Sequence, residues 1–415
     1  MSHDDDARAT PAHPVSAVSA SALPHPAASA DDGFSLVIGG PLYQLMRRAH
    51  MADAELHGVT RRMVVISLVA WVPLLLLSLA EGRAFSGVKL PFLHDVEAYA
   101  RFLVALPLLV LAEIPVHQRV GVAVAQFRER AIVASEAWPR FDAAIASARR
   151  LRNSITAEVV LLLAVFILSP VLWTHALVLP IDTWYASITP DGISLTGAGW
   201  WMVHVSVPIF QFIVLRWWFR IAIWWIFLWR VSRLPLELRA LHPDRAGGLS
   251  FLGGSVLAFA PLLFAQGVVS SGLIASRLLS GGEKLMDYRG QIAVLVIVLV
   301  AMIALPLTFF SQKLLNERRN GLRRYGALST RYVTEFDRKW LQGGDPGEPL
   351  IGSSDIQSLA DLGNASAVVN EMRPVPIDVR AIARLALVTL APFGPLVLTV
   401  IPFGDLVQQL FRMLL

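Results

Sequence analysis

The chain has 415 residues, of which 55% are apolar and only 16% are charged, whereas a soluble domain is about 45–50% apolar and about 25% charged. This composition excludes a typical soluble enzyme. The apolar residues form uncharged runs of roughly 18 to 25, the length that crosses a bilayer. The chain has no cysteine, which excludes disulfides, iron–sulfur clusters and Cys-based zinc sites. We therefore predict an all-α, polytopic helical membrane bundle.

The amino-terminal part contains no apolar run. Residues 1–33 are rich in Ala, Ser, Pro, His and Asp, so we predict a disordered tail. The acidic start is unlike a signal peptide. From Pro41 to about Arg62 we predict an amphipathic helix, because Pro41 suits the first helical position.

Six apolar segments are predicted to span the membrane: 63–80, 102–116, 159–180, a segment that begins at Trp200, 251–275 and 292–310. The third contains a predicted break at Ser169 and Pro170. A seventh segment, 385–402, is interrupted by prolines and could cross the bilayer or re-enter it. We favour crossing. The bundle then comprises residues 34–312, with 385–415 as its final membrane segment.

Positive charge is distributed unequally between the loops. The segments that alternation places on one side are 34–62, 117–156, 230–250 and 313–384. They hold 26 of the 36 Lys and Arg residues, and the opposite loops hold six. Because such an excess marks the cytoplasmic side, we predict a cytoplasmic amino terminus.

Two of the basic segments are predicted to fold. Residues 117–156 suit a helical hairpin broken at Pro139. Residues 313–384 suit a small cytoplasmic helical domain, in which 313–341 extends the sixth span and a second helix runs from Asp355 to about Met372. Its start has the pattern of a capping box, with Ser354 as N-cap and Gln357 three residues later. The first helix carries an apolar stripe: Leu322, Tyr325, Leu328, Tyr332, Phe336 and Trp340.

Seven of the twelve Trp residues lie within 200–229, together with Arg216 and Arg220. Two Trp pairs 17 residues apart would be about 26 Å apart on a helix, which matches the two aromatic belts of a bilayer. The arginines would then snorkel to the headgroups, with 221–229 along the surface. Alternatively the helix continues and both arginines are buried in the membrane, where such residues usually mark function. We favour snorkelling, and Glu113 can pair with the arginines in either geometry.

The sequence before the fifth span, HPDRAGG, has two interpretations. His242 and Asp244 could bind a metal, or the amides freed by Gly247 and Gly248 could bind an anion. Alternatively the segment is a turn in which Asp244 caps the next helix. We favour the turn, because one His and one Asp are weak evidence for a metal.

Small residues recur at intervals of four in the fifth span, at Gly254 and Ala258 and again at Gly267, Ser271 and Ala275. They predict close helix packing, either inside the chain or in a homo-oligomer. Isolated polar groups inside spans, His175, His204 and Gln266, are expected to form bridging hydrogen bonds unless a cavity joins them.

Motifs for phosphate loops, zinc proteases, serine hydrolases and dinucleotide binding are absent from the sequence. We therefore assign no catalytic residue, cofactor or metal, and enzymatic activity is not favoured. A basic face around Arg323, Arg324 and Arg331 is expected to meet anionic lipid headgroups rather than nucleic acid.

Three blocks resemble those of uncharacterised bacterial polytopic membrane proteins: PFLHD at 91–95, HPD with two glycines at 242–248, and DIQSLADL at 355–362. The resemblance covers most of the chain after the tail. It implies a bacterial inner membrane but no activity.

The candidate binding residues are Arg216, Arg220, Glu113, His204, His242 and Asp244. Transport or permeation of a small solute or ion is the favoured function, and it requires a water-accessible path. The alternative is a membrane-anchored scaffold or sensor that acts through the helices of 313–384. A lipid-modifying enzyme using His242 and Asp244 is the third possibility.

Overall fold

The computed structural model describes residues 34–48, 58–172, 182–189, 192–281, 283–343 and 347–397. The predicted tail and His175 lie outside these residues. The first helices along the chain are α1 (Pro41–Arg48), α2 (Val59–Ala80), α3 (Val96–Glu129), α4 (Trp138–Arg152) and α5 (Ile155–Leu172). A hairpin of β1 (Ala186–Thr189) and β2 (Gly192–Leu195) follows. The later helices are α6 (Gly197–Ser232), α7 (Phe251–Leu279), α8 (Leu285–Leu341), α9 (Ser354–Asn370) and α10 (Val379–Val397).

The architecture is an all-α helical membrane bundle. Six of the described helices, α2, α3, α6, α7, α8 and α10, are long and apolar enough to cross a bilayer. They correspond to six of the seven predicted segments. The remaining segment corresponds to α5, which continues to Leu172 through Pro170, so the predicted break at that point is wrong.

Loops that were predicted to share a side of the membrane contact each other. At one end, Val133 forms a backbone bridge with Leu236, and Arg152 donates a hydrogen bond of 2.6 Å to the Ser35 carbonyl oxygen. We call this the basic end. At the opposite end, which we call the far end, Leu90 forms a bridge with Thr183.

Helix α10 runs parallel to α7. A Cβ added at Gly253, near the basic end, would lie 2.7 Å from the Pro376 carbonyl oxygen. Farther along, the Ser271 hydroxyl donates to the Pro392 carbonyl oxygen at 2.7 Å, and Phe393 packs in one cluster with Ile274. The seventh segment therefore follows α7 from the basic end to the far end, as expected for a helix that crosses.

Small residues of the fifth span serve contacts within the chain at Gly267 and Gly272, whereas a Cβ added at Gly254 would have no described atom within 4 Å. A Cβ added at Gly267 would lie 2.4 Å from the Thr389 carbonyl oxygen, and one at Gly272 would lie 2.5 Å from the Ala100 Cβ. Close approach of helix backbones through small residues is the usual packing mode in membranes. The predicted homo-oligomer stays a prediction, and the Gly267 face is not available for it.

The centre of the bundle is apolar and closely packed. The buried side chains there include Phe102, Leu106 and Leu109 of α3 and Leu263 of α7. In lipid such contacts stabilise the bundle through dispersion and packing rather than through release of water.

Basic-end details differ from the predictions by a few residues. The predicted hairpin turns at 130–137, and Pro139 lies in the first turn of α4 instead of at the break. Ser353, not Ser354, caps α9 by accepting a 3.2 Å hydrogen bond from the Asp355 amide. The predicted capping box is wrong, because Gln357 donates to Asp361 instead.

Helix α8 extends far beyond the bundle. Its 57 residues are about 86 Å long at the helical rise, and a bilayer core is about 30 Å thick. The outer part of α8 pairs with α9, and the Tyr332 hydroxyl donates to the Asp355 carbonyl oxygen at 3.0 Å. We call the helical pair of residues 311–370 the arm.

Only the base of the arm is buried. Gly321 packs against Val369 and Ala240, and Met372 packs against Gly247 in the loop before α7. Toward the tip, the apolar stripe of α8 is partly exposed, with Leu328 at 47% of its full accessibility.

Candidate functional site

The most unusual site is a group of buried ionised side chains near the basic end. It comprises Arg62 of α2, Glu113 of α3, Glu158 of α5, and Arg216 and Arg220 of α6. We call these five residues the charge cluster.

Glu113 lies where the helical hydrogen bonding of α3 is interrupted at Ala112. The cause is Pro115, which has no amide hydrogen and whose ring clashes with the carbonyl four residues earlier. The local break turns the Glu113 carboxylate toward α2 and α6.

Two arginines hold the two oxygens of that carboxylate. Arg62 Nη2 donates to Oε2 at 2.8 Å, and Arg220 Nη1 donates to Oε1 at 3.0 Å. The Arg220 guanidinium also lies over the Trp217 ring, 5.0 Å from its centroid. Charge-assisted hydrogen bonds of this kind are about twice as strong as neutral ones.

Arg216 has a different carboxylate partner. Its Nη2 lies 3.6 Å from Glu158 Oε1, a distance longer than a hydrogen bond. Glu158 Oε2 accepts a hydrogen bond of 2.8 Å from the Leu42 amide at the start of α1. Through Glu158, α1 is therefore attached to the charge cluster.

The residues that precede α1 cover the charge cluster. Leu36 and Val37 are buried, and the Val37 carbonyl oxygen lies 3.5 Å from Arg220 Nη2. Gly39 and Gly40 have φ values of +135° and +95°, a backbone region that glycine adopts without strain. These two glycines let the chain turn between the buried segment and α1.

Arg152 of α4, outside the spans, adds positive charge beside this cover. Its guanidinium donates to the Ser35 carbonyl oxygen. Burial, with smaller contributions from Arg149 and Arg220, lowers the pKa of Arg152 to about 10. The side chain is still charged at neutral pH.

The charge cluster is both buried and unbalanced. Arg220 is only 4% exposed and Glu113 only 6%, and three arginines face two glutamates. Removing water from such groups costs several kcal/mol for each ion, and only close pairing offsets that cost. Among the described residues, the ion pairs and the cover over the cluster provide this compensation.

The snorkelling geometry that the Trp spacing favoured is wrong for Arg220. Helix α6 continues to Ser232, so 221–229 do not lie along the surface. Both arginines turn inward to carboxylates. The predicted pairing of Glu113 with an arginine of the fourth span is present.

His204 is not part of the charge cluster, but it lines the same lateral cleft as Glu158. It is exposed on the outer face of α6, its ring stacks on Trp200 with centroids 4.7 Å apart, and its Nδ1 lies 2.9 Å from the Trp200 carbonyl oxygen. Gln266 lines a separate lateral cleft with Trp218 and Gln291. The described cavities do not join Glu113, Arg216, His204 and Gln266 into one path.

The segment before α7 is a turn organised by Asp244. Its carboxylate accepts hydrogen bonds from the amides of Ala246, Gly248 and Ser250 at 2.8 to 3.1 Å, and His242 Nδ1 lies 2.9 Å from Oδ1. An external anion would compete with Asp244 for these amides, so the geometry supports the predicted turn.

Asp244 has a shifted pKa. Partial burial acts to raise the pKa of Asp244, but the hydrogen bonds from Ala246, Ser250 and Gly248 outweigh it and hold the pKa below its ordinary value. The loop also holds the base of the arm, because the Arg373 amide donates to the Arg245 carbonyl oxygen at 2.7 Å. Within the part of the chain that the structure describes, no group of three or more His, Asp or Glu side chains is placed to hold a metal ion.

Arg62, Glu158 and residues 34–40 were not predicted to belong to a site. Arg62 and Glu158 each lie immediately before an apolar run. A charge at that position, with an oppositely charged residue at the same depth in another span, is the signal that could have identified them.

Comparison with known protein families, with curated proteins and with solved structures finds no match to this chain. The resemblance to bacterial polytopic membrane proteins therefore stays a prediction.

Proposed function

We propose that the protein is a membrane-anchored scaffold or sensor of the bacterial inner membrane that acts through its arm on the cytoplasmic side. The observation that carries this proposal is the continuity of α8, which leaves the bundle as one helix and carries a helical pair away from it. The chain stays helical where α8 leaves the bundle, although residues Leu305–Phe310 form a 3-10 segment that contains Pro306. A shift of the bundle is therefore transmitted to the arm through this segment.

The arm has the features of a docking element. Its base is tied to the bundle through the loop before α7, where Arg245 forms an ion pair of 2.7 Å with Glu371. Near its tip Leu328 and Val333 are 47% and 42% exposed, beside the exposed Arg324 and Arg331. Exposed apolar residues among basic ones suit a protein partner with an acidic rim.

Transport of a small solute is less well supported. It requires a polar path through the bundle. Glu113 and Arg216 share the charge cluster, but His204 and Gln266 line two different clefts. The described centre consists of apolar side chains such as Phe102 and Leu263.

The test shortens the arm without disturbing its base. The hydroxyls of Ser329 and Ser366 are 3.2 Å apart, so residues 330–365 can be replaced by a short glycine linker. We expect this variant to insert into the membrane and to melt at the same temperature as the parent protein, but to fail to complement a strain that lacks the gene. A companion variant keeps the arm and carries Leu328→Ser and Val333→Ser; we expect it to complement weakly.

Full complementation by the shortened protein would contradict the proposal. Solute uptake in proteoliposomes that depends on the bundle alone would then make transport the leading function.

A further inference from the structure

A lateral cleft with a volume of about 770 Å³ lies between α2, α5 and α6, beneath α1. Its walls are apolar except for Glu158 and His204, and representative apolar side chains are Val65, Leu162, Phe166 and Phe212. The walls belong to helices whose composition places them in the bilayer, so the cleft opens toward lipid.

Water is a poor occupant of this cleft. The volume corresponds to about 25 water molecules at roughly 30 Å³ each, and a buried water needs two to four polar partners. Glu158 is engaged with the Leu42 amide and Arg216, His204 Nδ1 lies 2.9 Å from the Trp200 carbonyl oxygen, and the other wall residues present hydrocarbon. An acyl chain matches both the shape and the chemistry of the walls.

Two arginines of α1, the helix that forms the roof of the cleft, directly follow the residues that line it. Leu42, Leu45 and Met46 of α1 line the cleft, whereas Arg47 and Arg48 are exposed at the end of the same helix. A short helix with this division lies at a membrane interface, and paired basic residues there attract anionic headgroups.

We propose that the cleft is a binding site for one anionic phospholipid, with an acyl chain between α2, α5 and α6 and the phosphate at Arg47 and Arg48. The inference stands on the cleft and its roof, and it does not depend on the function proposed for the arm.

The occupant would contact the charge cluster through the roof. Arg62 Nη1 lies 3.9 Å from the Met46 sulfur, and the Leu42 amide is hydrogen-bonded to Glu158. A lipid beneath α1 therefore holds in place the helix that is attached to both residues.

The experiment counts lipids on the purified full-length protein. The protein is reconstituted in nanodiscs of zwitterionic lipid with a minor fraction of phosphatidylglycerol, transferred to detergent and examined by native mass spectrometry. We expect one retained phosphatidylglycerol. Retention of none, or of a broad distribution that mirrors the bulk lipid, would overturn the proposal.

A matched pair of variants on α2 tests the location. Val65 lines the cleft and Val64 does not, although the two are similarly exposed at 37% and 44%. We expect Val65→Trp to lower lipid occupancy by about tenfold or more, because the indole takes the volume of several methylene groups. Val64→Trp should retain as much phosphatidylglycerol as the parent protein does. Both variants should melt in lipid-free detergent at the temperature of the parent protein. If both then lose lipid equally, or if neither loses lipid, the cleft is not the binding site.

A second pair of variants tests the headgroup. Arg47→Gln with Arg48→Gln should retain a lipid but lose the preference for phosphatidylglycerol over the zwitterionic lipid. Arg140→Gln with Arg150→Gln, exposed on α4, removes the same charge elsewhere and should keep the preference. Inorganic phosphate alone should not stabilise the protein. If phosphate stabilises the protein and Val65→Trp does not change this effect, the basic residues bind a soluble anion. That result would overturn the lipid assignment.

Discussion

Ion pairs are buried in the charge cluster and exposed to solvent on the arm. In the charge cluster, Glu113 is held between Arg62 and Arg220 with almost no exposure. On the arm, Lys339 forms ion pairs with Glu348 and Asp355 in the open. A buried pair is costly to break because the remaining charge loses its compensation, whereas solvent screens an exposed pair. The bundle is therefore expected to depend on its ion pairs for stability, and the arm is not.

The largest effect is expected at Glu113. Glu113→Ala leaves two buried arginines without their shared carboxylate and should lower the free energy of unfolding by about 3–5 kcal/mol. Denaturant titration in micelles measures this. The triple variant Arg62→Met, Glu113→Leu and Arg220→Met removes all three charges and should recover most of the loss. A triple variant as unstable as the single one would contradict the electrostatic account.

The two arginines of α6 should differ in their tolerance of lysine. Arg220 donates to Glu113, lies over Trp217 and is nearly inaccessible, and lysine cannot reproduce that planar arrangement. Arg216 meets Glu158 at 3.6 Å only. We expect Arg220→Lys to cost about 1.5–3 kcal/mol more than Arg216→Lys, measured by the same titration. Equal losses of unfolding free energy in the two variants would contradict the claim that the contacts of Arg220 require a guanidinium.

An intermediate, pH-dependent effect is expected at Asp244. Its pKa is lower in the folded chain than the value of about 3.9 for an unfolded one, so its stabilisation is present above about pH 4. It is lost as the pH falls through the lowered pKa. Asp244→Asn should therefore lower the melting temperature at neutral pH, with a difference that shrinks below about pH 4. Asp361→Asn, exposed on α9, is the control. A difference that grows in acid would contradict the assigned direction.

The smallest effect is expected on the arm. Hydrogen bonds from Lys339 and Trp340 lower the pKa of Asp355, yet these groups are screened by solvent. Lys339→Gln should leave the melting temperature unchanged at low and at high salt. A clear loss at low salt would show that the arm ion pairs contribute more than their exposure allows.

The spans and the grouping of the loops at two ends could be predicted, because apolar run length reports directly on the bilayer and successive spans alternate in direction. The pairing of Glu113 with an α6 arginine was also predictable, since both lie near the basic end of their spans. The inward rotation of Arg220 was not, because spacing along one helix does not say which face meets a neighbour. Trp pairs at belt spacing favoured the outward geometry.

Other parts depend on tertiary contacts that have no local pattern. Residues 34–40 are held by Arg152 and His117, which lie far from them in sequence, and Gly39 and Gly40 fit closely against Arg152 and Glu158. The apolar stripe of α8 is exposed near Leu328 because α9 covers only part of that helix. Periodicity predicts an apolar face but not the extent of its cover.

The most direct test of the account is water accessibility at single cysteines, since the chain has none of its own. Ala105 is buried in the centre of the bundle and Val333 is exposed on the arm. In native membranes we expect a membrane-impermeant maleimide to leave Ala105→Cys unmodified from either side and to label Val333→Cys to completion. Labelling of Ala105→Cys at a rate similar to that of Val333→Cys would reveal a water path through the bundle and contradict the claim that the arm, not the centre, carries the function.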